Sequence, residues 1–258
     1  MTLRSEKMTV AIIQARMSSK RLPGKVMAEI NGKPMLYHVL KRAEMTEMIN
    51  MVVVATSDHC DDDTIEAFCN DTAVGCFRGS LDDVLDRYYH AARHFDAQVI
   101  IRLTADCPLL DPGIIDSVIK TFFRGDYDYA SNTLVCTYPD GLDTEVFSFG
   151  ALGRAWREAG LKSEREHVTP YIRNHPELFR LGNMSNTENI SHIRWTVDEP
   201  QDLDFVRSVF EKLENPFWGM QEILNLLKEN PELSSKNAGF IRNEGYLKSL
   251  SDDRINEK

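Results

Sequence analysis

Short runs of β-branched and other apolar residues alternate, along the first half of the chain, with stretches whose apolar residues recur every three to four positions. The run at residues 10–13 predicts a strand, and the helical spacing across residues 35–43 predicts the helix that follows it. This strand–helix alternation continues to residue 123. Further strands are predicted at residues 51–55, 74–77 and 99–103, with helices that open at residues 61–63, cover residues 84–95 and span residues 112–123.

Strands separated by helices of about ten to fifteen residues are typical of an α/β, Rossmann-like fold. In such a fold, a mostly parallel sheet carries helices on both faces, because each helical crossover packs against the strands that it joins. Ligands bind this kind of sheet at the carboxyl ends of its strands. We therefore expect the functional residues directly after the strands.

The alternation weakens at about residue 127. Two strand-like stretches, residues 127–131 and 144–149, flank a polar loop that contains Asp140 and Gly141. This pattern predicts a small inserted β/α subdomain over residues 127–190.

The first pattern returns after the insertion. A strand is predicted at residues 192–195 and a helix at residues 200–213, so the main domain should cover residues 8–213. Residues 214–258 are predicted to form a C-terminal helical tail, because the apolar residues near position 224 follow helical spacing.

Composition narrows the class of protein. A chain of 258 residues with 42% hydrophobic content can bury a full core, while its formal net charge of −10 opposes the backbone of nucleic acid. The five cysteines include no CxxC pair, which favours a reducing cytoplasm over a disulfide framework or a zinc ribbon. No apolar run approaches the roughly 20 residues that span a bilayer. We therefore expect a cytoplasmic protein with no nucleic-acid partner and no membrane segment.

Four cations follow the first predicted strand within ten positions: Arg16, Lys20, Arg21 and Lys25. A nucleoside triphosphate needs several positive groups and backbone N–H donors, and a glycine-containing loop after a strand offers both. The Pro23–Gly24 pair fits this interpretation, since proline fixes one backbone angle and glycine permits a sharp bend. A solvated basic turn is the alternative, above all for Lys20.

The loop and its flanks also carry a family resemblance. The stretches IIQAR (12–16), RLPGK (21–25) and INGKPM (30–35) resemble the opening of the sugar-acid cytidylyltransferases, a family that includes 3-deoxy-manno-octulosonate and acylneuraminate cytidylyltransferases. RGS (78–80) and DDVLDRY (82–88) resemble the branch named after the spore coat polysaccharide biosynthesis protein F. The resemblance covers roughly residues 8–213. It implies a nucleotidyltransferase fold and transfer of CMP from CTP to a sugar acid, with Mg²⁺ as cofactor and release of pyrophosphate.

By this resemblance, Arg16 and Lys25 are the catalytic cations, and a wider set binds the nucleotide. That set is Ala15, Arg16, Arg21, Lys25, Arg78, Gly79 and Thr104. Thr104 stands where related enzymes have a glutamine that helps to read the base, so the resemblance implies the reaction but does not fix the base. Arg102, or main-chain groups near Arg78, could take over that task.

The resemblance makes Asp106 and Asp198 the two carboxylates that hold Mg²⁺. Each follows a predicted strand, and Mg²⁺ needs only one or two carboxylates beside water and phosphate oxygens. Taken alone, Asp106 could form a turn before Pro108, and Asp198 could cap the next helix. Asp202, four positions later, is expected to be a solvated first-turn residue.

On the acceptor side, the resemblance points to Asp143, Glu145 and Glu166. The first two could accept hydrogen bonds from sugar hydroxyls, bind a second cation or favour an amino sugar, whereas Glu166 could equally be solvated in a first helical turn.

The partners implied are CTP, a small acidic sugar such as a nonulosonic acid, and a second copy of the chain in a homodimer formed through residues 127–190. A glycosyltransferase of similar architecture and an inactive nucleotide-binding homologue are the alternatives. The product would serve surface or spore coat polysaccharide synthesis.

Overall fold

The computed structural model describes residues 7–213, 215, 218–237, 239–240 and 242–256. Its strands are β1 (Thr9–Gln14), β2 (Glu29–Ile30), β3 (Lys33–Pro34), β4 (Met51–Ser57), β5 (Gly75–Gly79), β6 (Val99–Thr104), β7 (Tyr129–Ser131), β8 (Glu145–Ser148) and β9 (Leu181–Asn183). Its α-helices are α1 (Met35–Glu44), α2 (Asp63–Asp71), α3 (Val84–His94), α4 (Pro112–Arg124), α5 (Phe149–Glu158), α6 (Lys162–His167), α7 (Pro170–Asn174), α8 (Pro200–Lys212), α9 (Met220–Glu229), α10 (Pro231–Ser234) and α11 (Glu244–Asn256).

In the described part of the chain, seven strands form one sheet in the order β5–β4–β1–β6–β8–β7–β9, and β2 pairs with β3 in a separate hairpin. The strands from β5 to β6 are parallel, whereas β8 runs antiparallel to both β6 and β7. The last strand, β9, is parallel to β7. The prediction of a mostly parallel α/β sheet is confirmed.

The central strand β1 has core on both of its faces. Ala11 and Ile13 pack in the cluster that includes residues of α1 and α4, whereas Val10 and Ile12 pack with residues of α3 and α5. Successive side chains of a strand point to opposite faces, so a strand covered on both sides needs an unbroken apolar run. This requirement explains the apolar run at residues 10–13.

The helices begin where the sequence provides caps. Asp111 accepts hydrogen bonds from the backbone N–H groups of Gly113 and Ile114, and Pro112 occupies the first turn of α4. Asp83 caps α3 in the same way by accepting from the N–H of Asp86. Among the helices of the described residues, none combines the length and the apolarity needed to cross a membrane.

The chain changes direction across the sheet between β1 and β6. From β1, the next strands β4 and β5 extend to one side, whereas β6 is added on the other side. The carboxyl ends of β1 and β6 therefore flank a topological switch point, where open α/β sheets form a crevice for ligands. The loop after β1 and the loop after β6 meet at this crevice.

Residues 127–190 continue the main sheet. The pairing of β8 with β6 joins this segment directly to the central strands, so it extends the sheet instead of standing apart as a separate layer. The domain boundaries themselves stay a prediction.

The strand predicted at residues 192–195 is wrong. Within the described residues, the pairing of this segment is limited to an isolated bridge between Asp140 and Arg194. Its backbone groups bond to different partners in turn, with Trp195 N donating to Asp140 O at 2.6 Å and Val197 N donating to Asp106 O at 2.8 Å. The segment thus ties two loops together near the crevice. Strand β9 and the β2–β3 hairpin were not predicted, whereas α9, α10 and α11 lie within the segment predicted as a helical tail.

Candidate active site

The loop after β1 is held in a fixed shape by its own backbone and by one buried carboxylate. Gly24 N donates to Met17 O at 2.9 Å, and Gly24 adopts φ +71°, the left-handed region that favours glycine. Met17 N donates to Asp62 Oδ1 at 2.7 Å, while Asp62 Oδ2 accepts from Thr56. Burial alone would raise the pKa of Asp62, but these hydrogen bonds, with those from Ser57, lower it. Sequence analysis missed Asp62 because it lies in the loop of another strand.

Lys25 follows Gly24 and points into the crevice. Its ammonium Nζ donates to Asp106 Oδ2 at 2.8 Å, to Asp198 Oδ1 at 2.7 Å and to the carbonyl oxygen of Val197 at 2.8 Å. Only 9% of the Lys25 side chain is exposed. Three residues that the sequence placed in the site therefore meet at one nitrogen.

Lys25 and the two aspartates stabilise one another in their charged forms. Burial alone would lower the pKa of Lys25, but Asp106 and Asp198 outweigh it and raise that pKa. Burial would also raise the pKa of Asp106, but Lys25, with help from the Thr104 hydroxyl, lowers it to about 2. Lys25 and Asp106 are therefore both charged at neutral pH.

Asp106 and Asp198 converge from separate loops, one after β6 and one before α8. Carboxylate oxygens are the ligands that Mg²⁺ prefers, and two carboxylates suffice when water and phosphate complete its coordination. The charged side chains paired around Asp198 include three carboxylates and two cations. They are Glu199, Asp140 and Asp202, with Arg21 and Arg194. The residues present thus fit a divalent cation both in donor type and in charge.

Arg194 connects the carboxylates around Asp198. Its guanidinium lies 2.8 Å from Asp202 Oδ2, 3.3 Å from Asp198 Oδ2 and 3.4 Å from Asp140 Oδ2. The expectation that Asp202 is solvated is wrong, because Asp202 is fully buried and accepts hydrogen bonds from the backbone N–H groups of Asp198 and Glu199. Asp202 fixes the loop that presents Asp198, and the guanidinium of Arg194 neutralises the charge of Asp202.

The remaining cations of the loop differ in their partners. Arg21 lies 2.9 Å from Asp198 Oδ2, 3.4 Å from Glu199 and 2.6 Å from Glu244. Arg16 is exposed and has no hydrogen bond or ion pair within the described residues. A cation without a carboxylate partner at the edge of a ligand crevice is available for phosphate oxygens.

The other predicted nucleotide contacts are spread along the same edge of the sheet. Ala15 is buried at the end of β1, and Thr104 at the end of β6 lies beside Gln14. Arg78 and Gly79 lie on β5, two strands away from β1. The Arg78 guanidinium contacts Asp63, Glu66 and the carbonyl oxygens of Ser57 and His59. The structure does not bring Arg78 to Lys25, and its role in nucleotide binding stays a prediction.

The predicted acceptor residues have partners of their own. Glu145 is buried on β8, where it pairs with Arg102 and accepts hydrogen bonds from the hydroxyls of Tyr129 and Thr169, both at 2.6 Å. Burial would raise the pKa of Glu145, but Arg102 and then Arg173 outweigh it and lower the pKa. This carboxylate is structurally satisfied, and it fixes Arg102 beside the crevice.

Asp143 and Glu166 both contact the C-terminal part of the chain. Asp143, which is half-buried, pairs with Arg242, while Glu166 Oε2 accepts a hydrogen bond from the Ser249 hydroxyl at 3.0 Å. Burial raises the pKa of Asp143 to about 7, in spite of Arg242. No local sequence pattern connects Arg242 and Ser249 with residues 99 and 83 positions earlier, so neither was predicted as part of the site.

Comparisons with known proteins agree with this geometry. A family model described as cytidylyltransferase matches residues 10–229. The chain is 35% identical over 233 residues to the spore coat polysaccharide biosynthesis protein SpsF of Bacillus subtilis, which covers 87% of this chain and 96% of that protein. It is 35% identical over 123 residues to an 8-amino-3,8-dideoxy-manno-octulosonate cytidylyltransferase of Shewanella amazonensis, or 46% of this chain and 50% of that protein.

A solved structure supports the same assignment. The structure of a cytidylyltransferase from Leptospira borgpetersenii superposes with a TM-score of 0.86 at 29% identity, over 92% of this chain and all of that one. The range that the family model matches, residues 10–229, includes the loop after β1 and the two aspartates that meet at Lys25. The chain belongs to the cytidylyltransferase family and is a nucleotidyltransferase.

Proposed function

We propose that this chain transfers CMP from CTP to an acidic sugar and releases pyrophosphate. The observation that carries the proposal is Lys25 held between Asp106 and Asp198 at the switch point of the sheet. A buried, charged lysine beside two carboxylates provides both kinds of group that a triphosphate and its metal require. The neighbouring Arg16, which lacks a protein partner within the described residues, adds a second cation for phosphate.

The proposal includes Mg²⁺ held by Asp106 and Asp198. When bound, the ion would neutralise phosphate charge and stabilise the leaving pyrophosphate. Lys25 and Arg16 would bind phosphate oxygens and stabilise the charge that develops as an acceptor hydroxyl attacks the α-phosphate. A bond forms between the acceptor oxygen and the α-phosphorus, and the bond from the α-phosphorus to the bridging oxygen breaks with its electron pair going to pyrophosphate. The proton of the acceptor hydroxyl passes to solvent water.

For the acceptor, we propose a 2-keto-3-deoxy sugar acid such as a nonulosonic acid. The family resemblance supports this class, and Asp143 lies where its carboxylate is only partly covered. An ionised carboxylate accepts hydrogen bonds from sugar hydroxyls or from an amino group. In this proposal Asp143 contacts the acceptor, Glu145 acts through Arg102, and Glu166 lines the same side near Ser249.

The cellular setting is also a proposal. The cysteines, Cys60, Cys69, Cys76, Cys107 and Cys136, are all free, as suits a reducing cytoplasm. The product would enter surface or spore coat polysaccharide synthesis, by analogy with the name of the Bacillus subtilis relative. A homodimer formed through residues 127–190 completes the proposal, and light scattering of the purified protein tests it.

The experiment is a pyrophosphate-release assay in which CTP, UTP, GTP and ATP are each mixed with Mg²⁺ and one sugar acid. The acids are 3-deoxy-manno-octulosonate, its 8-amino-8-deoxy analogue and N-acetylneuraminate. We expect release with CTP and at least one acid, at a rate at least about tenfold above that with UTP. Release without an acceptor would indicate hydrolysis, and preference for another nucleotide would overturn the assignment of the base.

Two other functions would give different results in the same assay. A glycosyltransferase would consume a nucleotide sugar and release no pyrophosphate from CTP. An inactive homologue would bind CTP without turnover. The cation and carboxylate set at Lys25, Asp106 and Asp198 is complete, which favours an active enzyme over an inactive homologue. Asp106 is followed by Cys107 and Pro108, not by the Asp-x-Asp metal motif that is usual in glycosyltransferases.

A further inference from the structure

The C-terminal segment crosses the candidate active site and contacts residues on both of its sides. We call the described residues between 237 and 253 the strap. On one side, Asn237 Nδ2 donates to Arg194 O at 3.0 Å and to Asp202 Oδ1 at 3.2 Å. On the other, Ser249 bonds to Glu166, and Asp253 accepts from the backbone N–H of Ser163 at 3.2 Å. The strap itself lies beyond residue 229, where the family match ends, whereas the residues that it contacts lie within the match.

Charged side chains from the strap enter the site between these two anchors. Glu244 pairs with Arg21 at 2.6 Å. Arg242 pairs with Asp143, donates to Tyr138 O at 3.0 Å and lies 3.8 Å from Asp140. The Arg242 side chain is only 16% exposed. A guanidinium that gives up most of its hydration needs such partners, because an unpaired buried charge is costly.

Asp143 faces both signs of charge, and Arg242 is the main cation among them. Burial raises the pKa of Asp143 to about 7, and the negative charges of Asp140 and Glu145 act in the same direction. Arg242 and, to a smaller extent, Arg102 oppose that rise. Cys107 and Cys136 also lie near enough for the charge of Asp143 to raise their pKa values. Without Arg242, Asp143 would be mostly protonated at neutral pH and could no longer act only as a hydrogen-bond acceptor.

We propose that Arg242 is a positioning residue for acceptor recognition: it holds the Asp143 carboxylate ionised and oriented, and through it the strap is a working part of the acceptor site. This inference rests on the proposed function, in which Asp143 contacts the acceptor. An ionised Asp143 discriminates in favour of acceptors that present a hydroxyl or an ammonium group at that point, because an acceptor that displaces water from a half-buried carboxylate without donating to it leaves a hydrogen bond unmade. Arg242 lies outside the residues that carry the family resemblance, so the resemblance does not predict this role.

The kinetic test compares Arg242→Gln and Arg242→Lys with wild type and with Asp143→Asn. Arg154→Gln, which changes an arginine paired with the exposed Glu158, is the matched control. We expect Arg242→Gln to raise the acceptor KM by roughly 10- to 100-fold, as for loss of a charged hydrogen bond, with the CTP KM changed less than about threefold. Arg242→Lys should recover part of the loss, because it retains the charge but loses the second donor.

The pH profile separates this role from a merely structural one. The reaction needs Asp143 ionised, so the acceptor kcat/KM should rise with pH through about 7, the pKa of Asp143 in the presence of Arg242. Arg242→Gln removes the group that opposes the rise in the pKa of Asp143, so the rise of the acceptor kcat/KM should move to higher pH in this variant. In Asp143→Asn the rise should disappear. A rise in kcat/KM at the same pH in Arg242→Gln as in wild type, or equal increases in the KM for the acceptor and for CTP, would overturn the inference.

A measurement that needs no turnover keeps the two proposals distinguishable. The Asp143 carboxyl carbon can be titrated by ¹³C NMR, with Asp143→Asn to assign its signal. A higher pKa in Arg242→Gln than in wild type supports the inference even if none of the sugar acids is a substrate, and an unchanged pKa contradicts it. Absence of pyrophosphate release by wild type with CTP and every acid would count against the proposed function instead. If Arg242→Gln does not fold, Arg242→Met, which also removes the charge but keeps a side chain of similar length, provides the same titration.

Discussion

Lys25 and Arg16 illustrate two ways in which a cation can be prepared for phosphate. Lys25 is buried and shared by two carboxylates, whereas Arg16 is exposed and unpaired within the described residues. The first is fixed before the substrate arrives, so it costs no reorganisation during the reaction. The second is free to follow the triphosphate as it enters.

Replacing either cation should therefore lower turnover. We expect Lys25→Ala and Arg16→Ala each to reduce kcat by roughly 10² or more, as for loss of a preorganised electrostatic group. Lys25→Ala should also lower the melting temperature, because it removes the ammonium group that contacts both Asp106 and Asp198. The assay is pyrophosphate release, with circular dichroism to follow the fold. Lys20→Ala, in the same loop and exposed, is the control; near-normal turnover in the Lys25 or Arg16 variant would remove that residue from the site.

The two aspartates predict a requirement for a divalent metal. EDTA should abolish pyrophosphate release, and Mg²⁺ should restore it. Asp106→Asn or Asp198→Asn removes one charged oxygen ligand, so each variant should need a higher Mg²⁺ concentration for half-maximal rate. A Mg²⁺ titration of each variant measures this shift, and full wild-type activity in EDTA would exclude the two-aspartate site.

At the scale of elements, the prediction from sequence succeeded where periodicity was long and failed where it was short. Helix α4 was predicted closely, because thirteen residues with a capping Asp111 and Pro112 in the first turn give a strong pattern. Strand β9 has only three residues, too few for alternation to be visible. The false strand at residues 192–195 has an apolar pattern, but its backbone serves as a tie between the loops of Asp106 and Asp140.

Gly141 allows this tie to form. It adopts φ +112°, and a Cβ at this position would lie 2.6 Å from the carbonyl carbon of Trp195. We expect Gly141→Ala to lower the free energy of unfolding by more than about 3 kcal/mol, since backbone strain of about 1–3 kcal/mol adds to the overlap. Chemical denaturation measures the change.

Gly160→Ala is the matched control for Gly141→Ala. No atom lies within 4 Å of a Cβ placed at Gly160, and its φ is outside the left-handed region. Its stability should stay within about 1 kcal/mol of wild type. Equal stability of the two variants would show that the close approach to Trp195 is not needed.

For the molecule as a whole, the sequence predicted the centre of the site but not its surroundings. Lys25 and Asp106 were singled out because each follows a strand in a recognisable motif, and Asp198 because of its motif alone, although the aspartates lie 81 and 173 positions from Lys25. Arg194, Asp140 and Arg242 have no such motif, and their contacts depend on loops and a tail brought together only by the complete fold. The charge balance of the crevice is therefore a property of the tertiary structure.

If the crevice joins CMP to a sugar acid, the product of the reaction is a conjugate of the two. CTP, Mg²⁺ and a sugar acid are incubated with the wild-type protein, and the mixture is followed by ³¹P NMR and mass spectrometry. We predict one new phosphodiester signal with the mass of the sugar acid plus CMP, and one pyrophosphate formed for each conjugate. Inorganic phosphate with CDP, or CTP left unchanged with every sugar acid, would contradict the account.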